Sequence, residues 1–383
     1  MAARLFGSKT DFTEGGIISK LILFSIPLIL GELFQNLYHS VDSLVVGNLV
    51  SDSALAAVNV CQPITNLLIA FFNGMSLGSS VLVSHVFGRG ERDQIAPAMR
   101  TAFAFAIAAG LLLSAVGVIF SPQFLWMTDV NAEIYAEALL YLRICMIGTM
   151  FTVIYNIGAG VLRAVGDSRS PFLILVVSSL FNIGLDLLFV AVFRWDIAGV
   201  GIATVLSQFL SVLLVFRAMR RSEKDFRLDF RSLREHRSYV GEILSVGLPA
   251  GMQGSIVSIS NIFIWRYVNS FDSTAVTAGV GVAMRLDKFV AMPVKSIGLA
   301  MTTFAGQNAG AGKHSRSRKG ILSGFLVSFG VSVTMGIIVY LAAPFLVSLF
   351  NRNEEIVSIG VAMMRTIIPF YTTMAVREIF FGA

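Results

Sequence analysis

Ten apolar stretches, each long enough to cross a bilayer, follow one another along 383 residues and constrain this chain more than any other feature. They cover about 18–47, 54–86, 98–120, 134–161, 171–193, 197–219, 242–268, 274–307, 320–343 and 356–380. A helix needs about 20 apolar residues to span hydrocarbon. Strands of a membrane barrel instead alternate apolar and polar residues over about ten positions. The runs here are continuous, so only helices satisfy every backbone N–H and C=O in lipid. Composition agrees, with 14% charged residues where a soluble domain carries roughly 25%. The expectation is an all-α, polytopic membrane protein. Cys61 and Cys145 both sit inside apolar runs, and no disulfide framework is readable.

The basic residues orient the spans, because cytoplasmic loops are enriched in Lys and Arg. With the N-terminus inside, 21 of the 29 Lys and Arg fall on the inner face, while the outer loops hold only Arg194 and Arg352. Six lie within spans: Arg143, Arg266, Arg285, Lys288, Lys295 and Arg365. Lys20 precedes a full-length span rather than a short apolar stretch with a cleavage site, so no cleavable signal is expected.

A shift of 222 residues superposes the chain on itself without a gap. Pro27 falls on Pro249, Ser51 on Ser273, Gly88 on Gly310, Gly90 on Gly312 and Pro122 on Pro344. Asn131, Glu133 and Ile134 fall on Asn353, Glu355 and Ile356, Arg143 on Arg365, and Gly160 on Gly382. Helix breakers, Gly-containing basic loops and an intramembrane Arg would not be selected together by chance. Six spans per copy make the repeat parallel, about an axis along the membrane normal. The expected domains are a six-helix lobe over 1–222 and a lobe over 223–383 that lacks its last two helices, as a chain truncated after the tenth helix would. The charged linker Arg220–Gly241 reads as a solvated connector. It has no aromatic interleaving or fold suited to nucleic acid.

Polar groups inside spans are costly and therefore mark candidate sites. Gln35, Tyr38 and Asp42 share one face of the first span, with the alternative that Asp42 is an ordinary residue at the water boundary. Asn182 and Asp186 lie at i and i+4 in the middle of the fifth span, and Thr204 and Gln208 repeat that spacing in the sixth beside Ser207. Carboxyl groups withdrawn from water take up a proton readily, and two in one pocket can share one. Proton coupling is one reading of these residues, and a structural hydrogen-bond network is the other. The second half repeats no acid at the position of Asp42, where it has Ile264, and instead carries Arg285, Asp287, Lys288 and Lys295 in its eighth span. Those cations read either as snorkelling side chains or as contacts for an anionic group. Glu32 reads as packing or cavity lining, and Asn156 as a further cavity-lining candidate.

Other patterns carry less. Gly88-Arg89-Gly90 follows a helix rather than a strand and is no dinucleotide fingerprint. His39, His85, His236 and His314 are scattered without metal spacing, and no nucleophile–base pair appears. No metal site, cofactor or enzymatic activity is expected. Met363-Met364 suits packing, lipid contact or an adaptable cavity.

Pro27, Gln35 and Val41-Asp42-Ser43-Leu44-Val45-Val46-Gly47 resemble the first-helix signature of the multidrug and toxic compound extrusion (MATE) transporters. Leu162-Arg163-Ala164-Val165-Gly166-Asp167-Ser168 is similar to their loop between the fourth and fifth helices. Asn182 with Asp186, and Gly201-Ile202-Ala203-Thr204, match their fifth- and sixth-helix motifs. The resemblance covers the whole chain and implies export of cationic or amphipathic organic compounds by alternating access. In the DinF-like branch it implies Asp42, Asn182, Asp186 and Thr204 as the proton or cation site; Gln35, Tyr38, Asn156 and Gln208 are the candidate residues of the substrate cavity. The sodium-using branch has acids in the seventh and tenth helices. Val257, Met374 and Ala375 stand near those places here, which favours protons while leaving sodium open. The resemblance further implies a monomer in the cytoplasmic membrane of a bacterium. A lipid-linked oligosaccharide flippase of the same superfamily and an ion channel are the alternatives; a membrane enzyme or receptor lacks the cluster or soluble domain it would need.

Overall fold

The computed structural model describes residues 10–128, 130–221 and 237–383, so most of the central linker lies outside the described residues. The helices are α1 (Ile17–Leu49), α2 (Asp52–Gly88), α3 (Arg92–Met127), α4 (Ala132–Ala164) and α5 (Arg169–Asp186). They continue as α6 (Asp196–Arg221), α7 (Arg237–Asn269), α8 (Thr274–Gly310) and α9 (His314–Ser348). The last span combines α10 (Glu354–Ile367), a 3-10 turn and α11 (Tyr371–Gly382). Ten spans among the described residues are long and apolar enough to cross a membrane. One face of α3 leaves Leu111, Leu112, Val116, Ile119 and Phe120 exposed, as a wall facing acyl chains requires.

The repeat extends to the helix caps. The Ser51 hydroxyl accepts from Ala54 N at the start of α2, and Ser273 does the same for Val276 N at the start of α8. Asn131 and Asn353 cap α4 and α10 through the amides of Glu133 and Glu355. These side chains satisfy amides that the first helical turn leaves without partners. Gly90 and Gly312 turn the chain after α2 and α8 with φ of 74° and 67°, a conformation that costs glycine little. Pro27 and Pro249 lie inside α1 and α7, and Pro122 and Pro344 inside α3 and α9. Each removes a helical donor at a matched place.

The compact units cut the chain differently from the repeat. One is Leu30–Ser258; the other joins the residues up to Ile29 with Ile259–Ala383. Both α1 and α7 are thus shared between units. In the first unit, Ile95, Met99 and Phe103 of α3 pack with Leu82 and Val86 of α2, Ile157 of α4 and Val215 of α6. In the second, Leu21 and Phe24 pack with Ile297, Met301 and Phe304 of α8 and Ile379 of α11.

The segment before α1 is tied to that second core. Phe12 is fully buried, edge-on to Phe24 and Phe304. Its N–H donates to Gln307 Oε1 at 2.9 Å, and its carbonyl accepts from Asn308 Nδ2 and Arg316 Nε. Arg316 also donates to the carbonyls of Glu14 and Gly15. Truncating a buried Phe to Ala typically costs about 3–5 kcal/mol. Phe12→Ala is therefore expected to lower the melting temperature of the detergent-solubilised protein clearly, whereas the exposed-site control Leu341→Ala should leave it nearly unchanged.

Candidate functional site

Four helices of the Leu30–Ser258 unit each bring a pair of polar residues spaced i and i+4, which places both members of a pair on one face. The pairs are Tyr38 and Asp42 on α1, Tyr141 and Cys145 on α4, Asn182 and Asp186 on α5, and Thr204 and Gln208 on α6. Asp42 is 8% exposed, while Asn182 and Asp186 are fully buried. None of the three faces the acyl chains.

The carboxyl groups of Asp42 and Asp186 lie within hydrogen-bonding reach of each other. An ionised carboxylate only accepts hydrogen bonds, so a bond between two carboxyl groups requires one of them to carry a proton. The remaining contacts hold this pair in place. Asn182 Nδ2 donates to Asp186 Oδ2 at 3.0 Å, and Asn182 Oδ1 accepts from Thr204 N at 3.2 Å, in the amide orientation that satisfies both. The Tyr38 hydroxyl bonds the side chain of Thr204, whose Oγ1 donates to Val200 O at 3.0 Å. Tyr141 and Cys145 bond each other beside Asp42. Among the described residues, Oδ1 of Asp42 and Oδ1 of Asp186 are buried and have no partner. These are two buried acceptor atoms, for which a proton or a cation is the complementary partner.

The backbone changes character at the same place. Asp186 ends α5, and the chain continues as a wider π-helical turn over Leu187–Val192. Such turns inside helices concentrate at functional sites and redirect the chain. Phe189 within this turn stacks on Phe193 and on Trp195 just beyond it.

The structure brings Tyr38, Asp42, Asn182, Asp186 and Thr204 together. Gln208 lies one turn further along α6; its buried Oε1, next to Gly148 of α4, has no partner among the described residues. Gln35 is exposed on α1, and Asn156 is half-buried on α4 with its carbonyl accepting from Ser76. Asn156 stands about 16 Å along the helix axis from Cys145, at 1.5 Å per residue. Neither joins the cluster. Tyr141 and Cys145 do, although the sequence alone did not single them out: both count as apolar in a spanning segment, and only their i, i+4 spacing marked them. Glu32 is half-buried and faces the charge of Arg163 at the end of α4. In the other unit, Asp287 sits against the Tyr371 hydroxyl, while Arg285, Lys288 and Lys295 are exposed. Among the described residues no group of His, Cys, Asp and Glu is arranged to hold a metal ion.

A helical membrane repeat with an acid pair inside one of its helix bundles is the architecture of a membrane transporter. The family model MatE matches residues 27–188 and again 249–383, beginning each time on one of the two superposed prolines. The chain belongs to this family, the MATE transporters, and is a multi-pass membrane protein. It is 28% identical over 97% of its length, and 83% of theirs, to the probable multidrug resistance protein YpnP of Bacillus subtilis. It is 29% identical to YoeA of the same organism over 87% of this chain and 73% of that protein. The solved outward-facing structure of a multidrug resistance MATE family transporter shares its fold, with a TM-score of 0.89 at 22% identity over 98% of this chain and 85% of that one.

Proposed function

We propose that this chain exports cationic or amphipathic organic compounds in exchange for protons, with Asp42 and Asp186 as the exchanging site. The observation that carries this reading is the buried contact between the two carboxyl groups. With the shared proton present the site is closer to neutral and attracts an organic cation weakly; with it gone, two buried carboxylates favour an organic cation. Binding of proton and of substrate is then mutually exclusive, which is the requirement for exchange rather than leak. The relatives' names as multidrug resistance proteins support the same substrate class. The two lobes, 1–222 and 223–383, would alternate access to the site while the protein works as a monomer in a bacterial cytoplasmic membrane, N-terminus inside, in keeping with the bias of basic loops.

Reconstitution of the full chain in liposomes tests this. Ethidium uptake should follow a proton gradient, acid inside, through molecules whose cytoplasmic side faces the bath, and should not follow a sodium gradient at equal pH. Uptake driven by sodium alone overturns the proton assignment. Uptake indifferent to both gradients overturns exchange in favour of a channel.

A further inference from the structure

A second polar face runs along the middle of α8. Arg285, Lys288 and Lys295 are all exposed, in a helix whose flanking positions Leu286, Val290, Met292 and Val294 are buried. Spacings of three and seven residues put the three cations on one side. Among the described residues, no hydrogen bond, ion pair or ring contact engages any of them. The one acid of the helix, Asp287, turns instead to Tyr371. Thr274–Gly310 is about 55 Å long at 1.5 Å per residue, and the cations occupy its middle third. Charged side chains at that depth face protein or a water-filled space, not lipid.

The repeat supplies an independent sign that this face is built to be wet. Lys288 and Lys295 superpose on Asn66 and Asn73 of α2, and both asparagines are exposed as well. The same register is therefore hydrophilic in both halves but charged only in the second. Along α8 the two lysines stand about 10 Å apart, a gap that two extended side chains can close on one group. Phe289 beside them is 41% exposed and offers an apolar surface.

We propose that Lys288 and Lys295, with Arg285, form a binding site for the phosphate group of an amphipathic anion, whose chain lies against Phe289. Ammonium groups bind phosphate as point charges, and the guanidinium adds a fork of donors. This goes beyond the cation exchange proposed above. It is tested by equilibrium binding, so its failure and the failure of exchange are distinguishable.

The test uses the full chain in phosphatidylcholine nanodiscs and two dansyl-labelled dodecyl probes, one ending in phosphate and one in trimethylammonium. Lys288→Gln with Lys295→Gln should weaken the phosphate probe at least about tenfold, equivalent to about 1.4 kcal/mol, and leave the trimethylammonium probe unchanged. Lys288→Arg with Lys295→Arg, which keeps the charge, should retain phosphate binding. Unchanged phosphate affinity in the Gln variant, equal loss of both probes, or loss in the Arg variant matching that in the Gln variant overturns the proposal. Replacing a third of the lipid with phosphatidylglycerol separates the sources: displacement of the probe assigns the site to a bilayer lipid headgroup, and persistence assigns it to an amphiphile from solution.

Discussion

Asp42→Asn will leave a folded protein that no longer couples ethidium movement to a proton gradient. The amide is nearly isosteric and can donate to Asp186, so the packing around it survives; what disappears is a group that changes charge. Asp186→Asn should act alike, because Asn182 and Thr204 would still frame the side chain at that position. The expected result for either variant is gradient-driven uptake at the level of protein-free liposomes, with a melting temperature close to that of the parent. The double variant should be no worse than either single one. A pair that shares one proton acts as a unit, and the effects of its members do not add. Asn182→Ala should behave differently. It removes two hydrogen bonds, each worth about 0.5–1.5 kcal/mol, and so should weaken coupling and stability together. Undiminished uptake by Asp42→Asn would remove that residue from the exchanging site and transfer its role to Asp186 or elsewhere.

The acids were legible in the sequence because carboxylates inside apolar runs have few physical justifications. The faces of the helices were legible too, since 100° per residue fixes azimuth. Depth was not. Gln35 and Asp42 are close in azimuth on α1, yet Gln35 is exposed and Asp42 is 8% exposed, because the cover that neighbouring helices give α1 changes from turn to turn along its length. Asn156 illustrates the same limit, standing on the face of Cys145 but three turns away. The repeat was visible down to individual caps because Ser51, Ser273, Asn131 and Asn353 are needed wherever those helices begin. The anchoring of Phe12 was not visible: its partner Gln307 is 295 residues away, and no local pattern encodes so distant a contact.

Another feature hidden from apolar patterning yields the second large prediction. Gly74 and Gly78 of α2 face Gly247 and Gly251 of α7, four residues apart on each helix, inside the Leu30–Ser258 unit. This is the spacing that lets two membrane helices touch backbone to backbone. A Cβ added at Gly74 would lie 2.0 Å from Gly251 N, and one at Gly78 would lie 2.3 Å from Ile243 O. Backbone atoms cannot rotate aside, so any side chain there must part the helices toward the ordinary interaxial spacing of about 8–10 Å. The contact joins α2 of the first repeat to α7 of the second, and a transporter that alternates access must make and break contacts between its repeats. Gly74→Leu is therefore expected to lengthen the distance between spin labels at Asn73→Cys and Met252→Cys, both exposed positions, with Gly74→Ala giving a smaller increase. Ethidium exchange should fall to background in the Leu variant while the equilibrium affinity for ethidium persists, since the carboxyl pair is untouched. An unchanged label distance with full exchange would show that close approach of these glycines is incidental to transport. Lost affinity together with lost exchange would mean that the α2–α7 contact supports the site itself rather than the movement around it.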